Sequence, residues 1–185
     1  MHSLFVVLLL TVTSQLFGQS ATLVKPKIEI YLINKFTKAD SSQPRDNYFI
    51  PIKEDLADTA FIGDDEIIAY NIYEITATRQ PDDTIYSLLL SSSAQKKIND
   101  LKYIRLCCGQ KFAITINGKP VFGAYFWNLY SSFGCTWIAA FNRCDDELLL
   151  LKGIPGYYFN SSRQDPRYNW ELIQAFRISG RLKIK

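Results

Sequence analysis

The sequence predicts a mixed α+β domain: a mostly antiparallel sheet with two helices packed on one face. Three observations carry this. Short runs rich in β-branched and aromatic residues recur between turn-forming clusters. An Asn117-Gly118 pair joins two of these runs as a two-residue hairpin. Two stretches, one after Ser91 and one after Asp165, place apolar residues at helical spacing behind capping residues.

The elements follow in order. Lys27 to Asn34 alternates charged and apolar residues and reads as a strand. Lys38 to Asp46 is polar with Ser and Pro, hence a loop. Leu56 to Ile62 is a short extended piece, broken by Gly63-Asp64-Asp65. Glu66 to Thr76 is β-rich, Arg79 to Asp83 is a turn, and Tyr86 to Ser91 is a buried strand. Ser91, Ser92 and Ser93 supply N-caps for a helix carrying Ala94, Ile98, Leu101 and Ile104 on one side. Lys111 to Ile116 and Val121 to Trp127 flank the hairpin, and Pro120 opens the return strand, where a missing N–H is tolerated. Thr136 to Asn142 and Leu148 to Leu151 are further strands. Asp165-Pro166 starts a second helix with Pro at its first position, Leu172, Ile173, Phe176 and Ile178 form its apolar side, and Gly180 stops it. Leu182 to Ile184 is an edge strand.

The chain has 185 residues, of which 48% are hydrophobic, enough for one well-cored domain and too apolar for disorder. The formal net charge is +3 and the charges are dispersed, which excludes the basic stripe of a nucleic-acid binder. Residues 1–20 read as a secretory signal, with an apolar run from Leu4 to Leu10 and a small-residue cleavage pattern at Gly18-Gln19-Ser20. No other segment is long and apolar enough to span a bilayer. The expected location is therefore exported, in a periplasm or outside the cell, with no stable membrane span after cleavage. Cleavage would remove His2, the single histidine, and with it histidine-dependent catalysis, histidine metal ligation and a histidine pH switch. No cofactor and no metal is expected.

Cys107, Cys108, Cys135 and Cys144 fit no zinc spacing. If residues 136–143 form one strand, Cys135 and Cys144 lie on the order of 30 Å apart and cannot bond to each other. A bridge from the 107/108 pair to 135 or 144 stays open beside the preferred reading, free buried thiols.

The run Tyr86 to Ile98, followed by Phe112-Ala-Ile-Thr-Ile-Asn-Gly-Lys-Pro-Val-Phe122, resembles the periplasmic head domain of SecD, the protein-export subunit. There a strand leads into a helix with a small-Ala-x-x-Lys turn, then an apolar strand and an x-Gly-Lys-x-Val hairpin. Ala57 to Ile62 before Asp65-Glu66-Ile67 looks like an earlier segment of that domain. The resemblance covers roughly residues 55–142 and implies a ferredoxin-like, SecD-head-like fold. The chain is thus expected to divide into the signal peptide (1–20), an N-terminal strand and loop (21–54), this SecD-head-like core (55–142) and a strand–helix extension of the same domain (143–185). The resemblance brings no catalytic residue, and fold alone carries no function. The block from Tyr125 to Trp137 departs from SecD and looks more like small exported bacterial proteins without an assigned activity.

That block holds the candidate site residues. Tyr125, Trp127 and Tyr130 are the aromatic candidates for a surface patch, and Ser131 and Ser132 adjoin them in a loop of small residues. Cys135 is the candidate reactive thiol, with Lys119 the nearest basic residue in sequence. The acidic groups Asp64-Asp65-Glu66, Asp82-Asp83 and Asp145-Asp146-Glu147 are expected to be solvated turns. The expected function is a non-enzymatic exported domain that binds a protein, peptide or glycan. The alternatives are an accessory of protein export or envelope assembly, and an enzyme using Cys135 without histidine. If the aromatic patch is buried, the sheet edge is the remaining surface, through strand addition.

Overall fold

The computed structural model describes residues 24–33, 49–73, 84–101, 109–127, 137–142, 146–153 and 165–185. Within them eight strands form one sheet: β1 (Ile28–Leu32), β2 (Ile67–Tyr73), β3 (Ile85–Leu90), β4 (Gln110–Ile116), β5 (Lys119–Phe126), β6 (Ile138–Asn142), β7 (Glu147–Lys152) and β8 (Leu182–Ile184). Two α-helices, α1 (Ser92–Asn99) and α2 (Trp170–Ile178), complete the α+β architecture. The strand order is β1-β4-β5-β6-β7-β3-β2-β8. Five neighbouring pairs are antiparallel, while β5–β6 and β2–β8 are parallel. The sheet is strongly curled into a half-barrel. This order does not by itself show the four-stranded ferredoxin-like arrangement.

Local sequence chemistry accounts for the elements. Asn117 and Gly118 turn the β4–β5 hairpin with φ of 50° and 75°, the paired positive values such a turn needs. The Asn117 side chain also accepts a bond from the Lys27 backbone at 2.9 Å, fixing the entry to β1. Pro120 sits opposite Thr115 beside an irregularity in the ladder, where its missing N–H is tolerated. Ser91 caps α1 by accepting from the Ala94 N–H at 3.2 Å. Asp165-Pro166 does not begin the second helix directly. It opens a 3-10 turn over Pro166–Tyr168, after which Asn169 caps α2 by accepting from the Leu172 N–H. The Leu56–Ile62 piece makes isolated bridges, Ile33 to Leu56 and Ile30 to Ile62, that cover the outer edge of β1.

The main core lies inside the curl. Phe112, Phe122 and Phe126 from β4 and β5, Tyr70 from β2, Leu88 from β3 and Leu148 from β7 meet Ala94 and Ile98 of α1 and Leu172 and Phe176 of α2. Both helices thus pack on the same side of the sheet. Tyr70 is stacked between Phe176 and Tyr86.

The two ends of the curled sheet are held together by a polar clasp. Asp64, in the 3-10 turn before β2, accepts from the backbone N–H of Ile28 in β1 at 2.7 Å. The same carboxylate oxygen accepts from Arg181, just before β8, at 2.6 Å. Arg181 also donates to the carbonyls of Asp64 and Ile67. Nearby, Glu66 accepts from the Gly63 N–H, from Ser93 and from Lys97. Asp64 and Glu66 are therefore structural groups, not the solvated turn expected from sequence.

Burial alone would raise both carboxyl pKa values, but these partners outweigh it and hold both below the ordinary range. A carboxyl with a depressed folded pKa stabilises the fold above its unfolded value, about 4, and that stability is lost as pH falls through the folded value. We therefore expect denaturant-measured stability to hold down to about pH 4 and to drop below it. The Asp64→Asn variant should start less stable at neutral pH and show a shallower acid decline. An equal decline in both proteins would show that Asp64 is not one of the responsible groups.

Candidate functional site

The aromatic block does not form a surface patch where it is described. Tyr125 is 9% exposed and Trp127 3% exposed. Both lie on the outer face of the sheet in a second apolar cluster with Ala139 and Phe141, packed against Phe49, Trp137 and Leu151. The expectation of exposed Tyr125 and Trp127 is corrected: alternation along β5 does send them away from the main core, but Phe49 and Trp137 roof that face. Phe49 meets Tyr125 edge-on at 5.7 Å, and Trp137 lies 4.9 Å from it. Gly123 makes room for this roof, since a Cβ there would come within 2.3 Å of the Phe49 ring. Tyr130, Ser131, Ser132 and Cys135 lie outside the described residues, as do Cys107, Cys108, Cys144, Asp82, Asp83 and Asp145. Lys119 is described, and its recorded ion pair is with Glu171 at 3.5 Å.

The sheet edge is poorly suited to strand addition. β8 has three residues, and Lys183 and Lys185 place charge on it, the devices that blunt free edges. Lys185 is moreover directed to Tyr73 and Glu147. Glu147 itself accepts from Asn71 and Tyr73, so it too is structural.

An open groove lies in front of α2. It has a volume of about 360 Å³ and is lined by Ile50, Val121, Asp165, Pro166, Asn169, Trp170 and Glu171. β5 is paired with β6 only at Tyr125 and Phe126. Earlier in β5, the Phe49 segment lies alongside instead. There the Gly123 N–H donates to the Phe49 carbonyl at 2.8 Å, which brings Ile50 to the groove.

The opposite wall is anchored by Arg167, itself 3% exposed. Its guanidinium donates to the Leu150 carbonyl at 2.8 Å, pairs with Asp165 at 2.5 Å, and lies 4.7 Å from the Tyr86 ring centre. The Tyr70 hydroxyl donates to the Arg167 carbonyl at 2.6 Å. Burial pushes the Tyr86 phenol up to about 12, with Asp165 adding to the rise and Arg167 opposing it. The Tyr70 phenol is pushed well up by burial. Both hydroxyls stay protonated at physiological pH and act as neutral groups in a fixed wall.

The groove surface combines an exposed apolar lip with partly committed polar groups. Trp170 is 63% exposed and Ile50 51%. Asp165 is engaged by Arg167, and the Asn169 side-chain oxygen by the α2 cap. The Asn169 side-chain N–H₂ makes no hydrogen bond among the described residues, and the Lys119–Glu171 pair is well exposed. No group of three or more His, Cys, Asp or Glu comes together among the described residues to hold a metal. No helix among the described residues is long and apolar enough to cross a membrane.

The sequence places the start of the second helix at Asp165-Pro166, where a 3-10 turn precedes α2, and sequence reasoning missed the groove. The available signal was Asn169 ahead of Trp170, a cap followed by an aromatic residue outside the Leu172–Ile173–Phe176 stripe. Comparison with family models, with curated proteins and with solved structures finds no match for this chain.

Proposed function

We propose that this chain is an exported, non-enzymatic domain that recognises a macromolecular partner (protein, peptide or glycan) through the groove in front of α2. The observation that carries the reading is the exposure of Trp170 and Ile50 beside a 360 Å³ concavity whose wall is rigidly anchored. Such a volume falls at the lower end of the usual range for binding sites, roughly 300–1,000 Å³. The best-placed polar groups elsewhere, at Asp64, Glu66 and Glu147, are consumed in structural bonds.

The leader-like residues 1–20 support export. The succession β3, α1, β4, hairpin, β5 supports the SecD-head-like, ferredoxin-like reading of residues 55–142 as part of the same proposal. A role as an accessory of protein export or envelope assembly rests on that resemblance.

The test is binding of the purified protein to a displayed random peptide library and to an oligosaccharide array, beside the Trp170→Ala variant. A ligand of either kind is expected to lose about 2 kcal/mol or more of affinity in the variant, as a central aromatic anchor does. Ligands bound equally by both proteins would move the recognition surface away from this groove.

A further inference from the structure

We infer that the groove takes an uncharged sugar residue of a glycan, laid against the face of Trp170. This rests on the groove being the recognition site. Among the described residues, the charges at the groove pair off: Asp165 with Arg167, and Glu171 with Lys119. A strongly anionic or cationic ligand would gain from one member of each pair and be opposed by the other.

A purely apolar ligand would cover Trp170 but desolvate the groups beside it. The Asn169 N–H₂ has no partner among the described residues, and the Glu171 carboxylate is largely exposed. Leaving such groups unpaired under a ligand is costly. A pyranose meets both demands. Its hydroxyls donate to Glu171 and accept from Asn169 and Lys119, while its C–H face meets the electron-rich face of the indole. A helical cap fixes the backbone that carries these groups, since the Asn169 oxygen holds the Leu172 N–H at 3.2 Å. Holding a platform rigid before binding reduces the ordering cost of association.

The experiment compares immobilised neutral hexose and N-acetylhexosamine oligosaccharides, uronate-bearing oligosaccharides and a displayed random peptide library. The wild type is probed beside Trp170→Ala, Trp170→Phe and Glu171→Gln, each checked for an unchanged unfolding midpoint. Neutral oligosaccharide binding is expected to fall about thirtyfold or more in Trp170→Ala. It should stay within about threefold in Trp170→Phe, which keeps an aromatic face, and fall by no more than about tenfold in Glu171→Gln, which keeps an acceptor but loses the charge-assisted bond. Trp170-dependent binding of peptides alone would overturn the sugar inference and leave the groove reading standing. Preference for uronate-bearing chains, or loss of binding in Glu171→Gln by more than about tenfold, would overturn the neutrality of the ligand. No Trp170-dependent binding in any arm would overturn both readings.

Discussion

Replacing Arg167 by alanine is expected to cost about 3–5 kcal/mol of folding stability, the usual range for removing one partner of a buried ion pair. The guanidinium is the hub between Asp165, the Leu150 carbonyl and the Tyr86 ring. Its loss leaves the Leu150 carbonyl without that donor, and leaves Asp165, whose side chain is 23% exposed, as an uncompensated charge. For a domain of this size the loss corresponds to a fall in midpoint of roughly 6–20 °C. Arg167→Lys should recover only part of it, because an ammonium cannot reproduce the planar fork against Asp165 or stack equally on Tyr86. Urea titration of the three proteins checks the order. A loss below about 1 kcal/mol in Arg167→Ala would show that the guanidinium is solvated, as surface pairs are.

The second large effect is expected at Arg181. Its alanine variant should lose about 3 kcal/mol, near the lower end of the buried-pair range, because Asp64 keeps a side-chain exposure of 24%. Three acceptors lose their donor together: the Asp64 carboxylate, the Asp64 carbonyl and the Ile67 carbonyl. Asp64 retains only the Ile28 N–H among these partners. Amide exchange should therefore accelerate first in β8, and then in β1, at the two margins of the sheet. Acceleration spread evenly over β3, β4 and β7 would mean that the clasp acts on the whole core rather than on the margins. A double-mutant cycle with Asp64→Asn separates the pair energy from the carbonyl bonds.

What the sequence made legible was local. Asn117-Gly118 dictates a hairpin whatever surrounds it, Ser91 caps the helix it precedes, and Gly180 takes the positive φ that ends α2. The strand positions followed from the same short-range chemistry, with β8 correctly placed at an edge. The order of strands was not legible. β1 pairs with β4 and β8 with β2, and no pattern within either strand names its partner. Nothing in the sequence singled out the two structural arginines, Arg167 and Arg181, because their burial depends on acceptors distant in sequence.

The site residues divide in the same way. Alternation puts Tyr125 and Trp127 on one face of β5, and the structure shows that face turned away from the helices. It could not show that Phe49 returns over Gly123 to cover them, since that contact joins residues far apart in the chain. Exposure of Trp170 was hidden for the converse reason. A tryptophan next to an apolar stripe is ordinarily counted as core, but this one, the first residue of α2, lies off its buried side and stays exposed.

The clasp also bears on when this chain can fold. Asp64 and Arg181 are 117 positions apart, and Asp64 is also the acceptor for the first residue of β1. Loop closure over such a span is entropically costly and characteristic of slow-folding topologies. During synthesis, β1 to β7 emerge before the arginine that fastens their margins. β1 thus waits for Arg181 before its margin is fastened, and a nascent chain that has not reached Arg181 holds an open-margined sheet. Such a chain remains easy to unfold, or to engage by a holding factor, until Arg181 has emerged.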